Sequence, residues 1–202
     1  MTLKIKIIVT FCFFTACNQA SKQKVSSKSL NDSVLILTKN YKDTSQYLQA
    51  IKLLKHAINI DTNLFDTYSK KLFLEESLGQ FENASETSIQ MIRLKPDSAE
   101  LYLKTGIYKD LAGDTLKAKD YYNRSLPRYQ ILIDTLQKSH PDRHNILNMI
   151  AINIIMLGQK KMLHNFLKEN CKTKLDSVFM SADILGKTRA EILTAARRKY
   201  SR

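Results

Sequence analysis

Between Asn31 and Leu132 the apolar residues recur at helical spacing, and the pattern repeats. Three units beginning at Asn31, Phe65 and Ala99 align without gaps at a period of 34. Ala50, Ala84 and Ala118 share one column. Val34, Tyr68 and Tyr102 share another, Tyr47, Phe81 and Thr115 a third, and Ala57, Met91 and Ser125 a fourth. Gly79 and Gly113 fall at the break in mid-unit, where the first unit has Ser45. The spacing predicts two helices per unit. The glycine can end the first helix in a left-handed conformation, and the small alanine lets the second approach its mate closely. Asp97, ahead of Glu100, and Asp61 with Thr62 are the expected caps of the helices that open the third and second units. Pro127 predicts a kink or a fresh helix, because proline cannot donate to the helical ladder.

A fourth, degenerate helical pair follows over 133–202. The run from Asn145 to Leu157 is apolar almost all round and is expected to be buried. Gly158 makes the turn, and Lys160 to Asn170 forms the second helix. Leu157-Gly158-Gln159 echoes Leu78-Gly79-Gln80, at a spacing of 45 from the third unit in place of 34. Thr188 and Glu191 make a capping box that opens a helix reaching about Tyr200. This C-terminal helix is the expected cover for the Asn145 run, because an end unit otherwise exposes its apolar face. The fold class is all-α.

The repeat resembles the tetratricopeptide repeat (TPR) in period and in its helix–turn–helix unit. The matching residues are Tyr68, Leu72, Leu78, Gly79, Phe81, Ala84, Leu94 and Pro96 in the middle unit. In the third they are Tyr102, Gly106, Gly113, Ala118 and Tyr122, and in the first Tyr41, Ala50, Leu54, Ala57 and Ile60. The resemblance implies a TPR-like α-α superhelix of three repeats over 31–132, with the degenerate pair and a basic C-terminal capping helix behind it. It also implies that the first helix of each unit lines a concave side. Inward-facing residues would then be Lys39 and Asp43, then Ser69, Phe73 and Glu76, then Leu103, Ile107 and Asp110. That strip is mixed apolar and charged and suits an extended or helical peptide. The basic carboxylate clamp of some family members is not evident, since Leu35, Ser69 and Phe73 stand where its ligands would be. Phe73 and Ile107 occupy one column of adjacent units. They project into a shared groove unless the C-terminal segment folds back and fills it.

Residues 1–16 read as a signal peptide: Lys4 and Lys6, then an apolar run from Ile7 to Phe14 that is too short to span a bilayer. Phe14-Thr15-Ala16-Cys17 resembles a bacterial lipobox. The resemblance implies lipid attachment at Cys17 and anchoring of the chain to a membrane of the bacterial cell envelope, since several acyl chains together hold stably. The polar stretch 17–30 is then a flexible tether. Cys12 would leave with the signal, so Cys171 is the one remaining thiol and no intramolecular disulfide is expected.

Five glycines, three prolines and no tryptophan make a turn-rich β-sandwich a poor fit. The net charge of +13 is uneven. The three units sum to +1, whereas residues 159–202 carry eleven Lys or Arg against four acids. Arg197, Arg198 and Lys199 could contact an anionic surface, although a basic run is more often a solvated face. The export signal disfavours nucleic acid. His140, His144, His164 and Cys171 lack the tight spacing of a zinc site, and no cofactor is implied. No nucleophile elbow, phosphate-cradling glycine loop or HExxH motif occurs. Glu75 and Glu76 read as a solvated face of a helix. The expected function is therefore a non-enzymatic, membrane-anchored scaffold that binds a protein or peptide in its groove. The alternative is an accessory subunit or an enzyme of the cell envelope with an unrecognised site.

Overall fold

A computed structural model describes residues 26, 29–30, 32–34, 43–137, 139–170 and 186–200. Lys39, the whole signal segment, Cys17, Cys171 and most of the tether lie outside the described residues. Within them the chain is all-helical, with no strand. The helices are α1 (Thr44–Ile60), α2 (Phe65–Ser77), α3 (Phe81–Leu94), α4 (Ala99–Leu111), α5 (Thr115–Thr135), α6 (Arg143–Leu157), α7 (Lys160–Asn170) and α8 (Arg189–Tyr200). Helical backbone also occurs at 29–30 and 32–34. Each helix from α1 to α7 packs on the next, and α8 returns to pack on α4 and α6.

The period is visible in the helix starts. α2 and α4 begin at Phe65 and Ala99, α3 and α5 at Phe81 and Thr115, both pairs 34 apart. Ala50, Ala84 and Ala118 are all fully buried, as the close-approach column requires. Gly79, Gly113 and Gly158 hold positive φ at the turns, the conformation that glycine adopts without a Cβ penalty. The first unit differs here. Ser45 is not a turn residue but lies in the first turn of α1. Serine does not readily take the left-handed conformation, and Asp43 caps the helix instead, accepting from the backbone N–H of Ser45 at 2.8 Å and of Gln46 at 3.3 Å.

The caps of the next two units also move. Ser98, not Asp97, caps α4, its hydroxyl oxygen accepting from the N–H of Leu101 at 3.4 Å. α2 opens at Leu64 without a side-chain cap, while Asp61 turns the loop by accepting from the N–H of Asn63 at 2.9 Å.

α5 runs unbroken through Pro127. Proline leaves the carbonyl of Asn123 without its ladder donor, and both residues are exposed, so that carbonyl lies on the wet side of the helix. On the dry side, Asn153 of α6 is fully buried and meets the same stretch. In the amide orientation that satisfies its neighbours, its nitrogen donates to the carbonyl of Tyr122 at 3.0 Å. Its oxygen accepts from Ser125 Oγ at 3.0 Å and from the N–H of Leu126 at 3.2 Å. A polar residue within the most apolar helix is thus explained by the backbone it serves. α6 buries its apolar surface mainly against α5, with α8 a smaller contact; the C-terminal helix is a minor part of its cover.

Candidate partner-binding groove

Tyr108 of α4 reaches back across the stack and donates its hydroxyl to Glu76 of α2. Lys109 pairs with Glu82 at 2.7 Å. A cavity of about 450 Å³ lies between α2 and α4, walled by Ser69, Leu72, Phe73 and Glu76 on one side and by Leu101 and Lys104 on the other. Phe73 is 49% exposed there. Phe73 and Glu76, three residues apart, present one face of the helix. Lys95 lies with its ammonium 3.8 Å from the centre of the Phe65 ring, and Glu100 pairs with Lys104 at 2.8 Å. The cavity therefore offers an apolar floor, an acid and a partnered rim.

The candidate residues divide into two groups. Ser69, Phe73 and Glu76 come together in this cavity. Leu103 and Asp110 are buried. Ile107 is half-buried and packs, with Ile192 and Leu193 of α8, against the core cluster of α4, α5 and α6. Asp110 accepts the Tyr122 hydroxyl on Oδ2 at 2.7 Å and the Arg189 guanidinium on Oδ1. Burial first, and then the bond to Asp110, holds the Tyr122 hydroxyl well above the usual phenol range, so it stays a donor. Of the inward-facing residues named from the sequence, Asp110 thus serves the α8 interface, Leu103 and Ile107 belong to the core cluster that α8 also joins, and the carboxylate of Asp43 serves a helix cap. Ser69 donates to the carbonyl of Phe65 at 3.0 Å. Lys39 lies outside the described residues.

Glu75 and Glu76 part company. Glu75 is fully buried rather than solvated, and accepts from Lys71 Nζ at 2.5 Å and Thr87 Oγ1 at 2.6 Å. Lys71 sits one turn earlier and neutralises it, which removes the cost of a lone buried charge. Arg197 donates to the carbonyl of Leu111 at 3.3 Å and so belongs to the α8 contact, while Arg198 and Lys199 are exposed.

Lys95, Glu100 and Lys104 were not legible as groove residues, because they sit in and after the link between units, where the helical phase restarts. Among the described residues, no three His, Cys, Asp or Glu side chains converge as a metal site, and no helix is long and apolar enough to cross a membrane. No family model matches the chain.

Proposed function

We propose that the chain is a tetratricopeptide-like repeat scaffold. A lipid on Cys17 holds it at a bacterial cell envelope, and it binds a protein or peptide in the groove between the first helices of its middle and third units. The observation that carries this reading is the open cavity with half-exposed Phe73 at its floor, on helices whose starts keep the period of 34. A large aromatic left in a concave, charge-rimmed setting is the kind of feature that marks interaction surfaces.

Two experiments test the proposal. Pull-down from membranes with the full chain should retain a partner that Phe73→Ser loses with only a slight fall in thermal stability; retention by the variant removes the groove from the reading. Metabolic labelling with a fatty-acid probe should mark the wild type and spare Cys17→Ala, and equal labelling of both removes the anchor.

A further inference from the structure

The molecule already shows what one of its inner faces binds. On the third unit, α8 lies against α4 with Arg189 paired to Asp110, and Ile192, Leu193 and Ile107 all pack against one core cluster. Arg189, Ile192 and Leu193 follow i, i+3, i+4 spacing and so share one face of α8. Shifting Ile107 and Asp110 back by one period gives Phe73 and Glu76. The middle unit thus repeats the receptor half of this contact: an apolar side chain and, three residues on, a carboxylate. Both carboxylates accept a tyrosine hydroxyl, Asp110 from Tyr122 and Glu76 from Tyr108. The Arg189 guanidinium completes the coordination of Asp110. Among the described residues no cation pairs with Glu76, and no helix covers Phe73.

We propose that the Phe73–Glu76 face receives an amphipathic helix from a separate protein, one that carries an arginine three and four residues ahead of two aliphatic side chains, as α8 does. The inference rests on the groove reading above and specifies its ligand. Charge complementarity supplies the first argument, since an arginine fork matches a carboxylate that still has acceptor capacity. Shape supplies the second: a helix presents its i, i+3 and i+4 side chains to an apolar groove as a single ridge. A second copy of this chain is disfavoured as the donor, because its α8 is already seated on its own α4 and Arg189 on its own Asp110.

The probe is a fluorescently labelled synthetic peptide of residues 187–200, titrated with the full chain in detergent micelles. Saturable binding of one peptide per chain is expected. Phe73→Ser should weaken it at least tenfold with only a slight fall in melting temperature. Glu76→Lys should weaken it at least tenfold as well, and a peptide carrying R189E should restore binding to that variant; this rescue separates charge pairing from damage to the Tyr108 contact. Absence of saturable binding overturns the proposal. So does binding that ignores Glu76→Lys but changes with Asp110→Asn, because the peptide would then be exchanging with the chain's own α8. Oligomers that form with concentration and vanish in Phe73→Ser would make a second copy the occupant and overturn it too. If the membrane pull-down depends on Phe73 while the peptide does not bind, the groove stands and the helical ligand falls. If neither depends on Phe73, the groove reading itself has failed.

Discussion

On the middle unit, Phe73 and Glu76 look onto an open cavity; one period later, Asp110 is paired with α8 and Ile107 packs against the core cluster that α8 joins. The two faces sit on helices of equal length and phase. What separates them starts one turn away, in a pair of columns where the sizes are inverted. The middle unit has Leu72 on its first helix and Ser88 on its second; the third unit has Gly106 and Tyr122 in those places. Ser88 spends its hydroxyl on Thr105, at 2.6 Å. Tyr122 fills the space that Gly106 vacates and extends its hydroxyl to Asp110. Tyr122 and Arg189 together let Asp110 be buried as a carboxylate, and α8 closes over it. The paired exchange of Leu72 and Ser88 for Gly106 and Tyr122 thus accompanies a covered face where its neighbour stays open.

The largest effect is expected at that glycine. A Cβ at position 106 would come within 2.6 Å of Tyr122 Cδ1 and closer still to Cε1. The ring is buried and tied to Asp110, so it has no easy retreat. Gly106→Ala should destabilise the fold by about 1–3 kcal/mol or more through overpacking, read as a lower urea midpoint at unchanged slope. Tyr122→Phe, by contrast, should keep the packing but leave Asp110 with one donor fewer, at about 1–3 kcal/mol. If Gly106→Ala melts like the wild type, the tight approach of α4 and α5 is not what seats Tyr122.

Next comes the pair that differs in cover. Ile107→Ser removes apolar surface packed against the core cluster that α8 joins and should cost roughly 1–2 kcal/mol. Phe73→Ser, in the same column, should cost less, about 0.5–1 kcal/mol, because half of that residue already faces solvent. Equal losses at the two positions in thermal melts would erase the distinction between an open and a covered face.

Much of this architecture could be read from residue order because the period does the work. A column of three alanines must be buried in all three units or in none, and the glycines at 79, 113 and 158 carry a backbone requirement that few other residues meet. The capping box at Thr188 and Glu191 was legible for the same reason, being local chemistry at fixed spacing. What could not be read was long-range. Nothing in the sequence near Asp110 says that Arg189, far along the chain, will claim it. Nor does Glu75 announce that Thr87 of the next helix will receive it. Nor does the apolar run at 145–157 say that Asn153 will find its partners on α5. The candidate groove was therefore half legible: the column could be named from the period, but which of its members remain open depended on a helix that arrives from the C-terminus.

The smallest effect concerns how firmly that helix is closed, and acid should weaken it. The carboxylate of Glu191 accepts from the backbone N–H of Thr188 at 2.6 Å and from its hydroxyl at 2.9 Å. These bonds, with a lesser contribution from Lys187, hold its pKa below the usual glutamate value. A carboxyl group whose pKa is lower in the folded than in the unfolded state adds stability that is complete above the unfolded value and disappears as pH falls through the folded one. α8 should therefore be fully capped at neutral pH and begin to loosen below about pH 4.5, near the ordinary glutamate value. Among the described residues the middle unit has no such helix, so acidification should make the Ile107 face behave more like the Phe73 face. Amide exchange over Ile192 to Ala196, corrected for intrinsic rates, should quicken relative to that of α3 as pH falls from about 5 to about 3. Glu191→Gln retains the acceptor of a capping box without the titration, so its exchange should lose most of that pH response. A response of full size in Glu191→Gln would place the titrating group elsewhere in the α8 contact and leave the capping box a passive helix start.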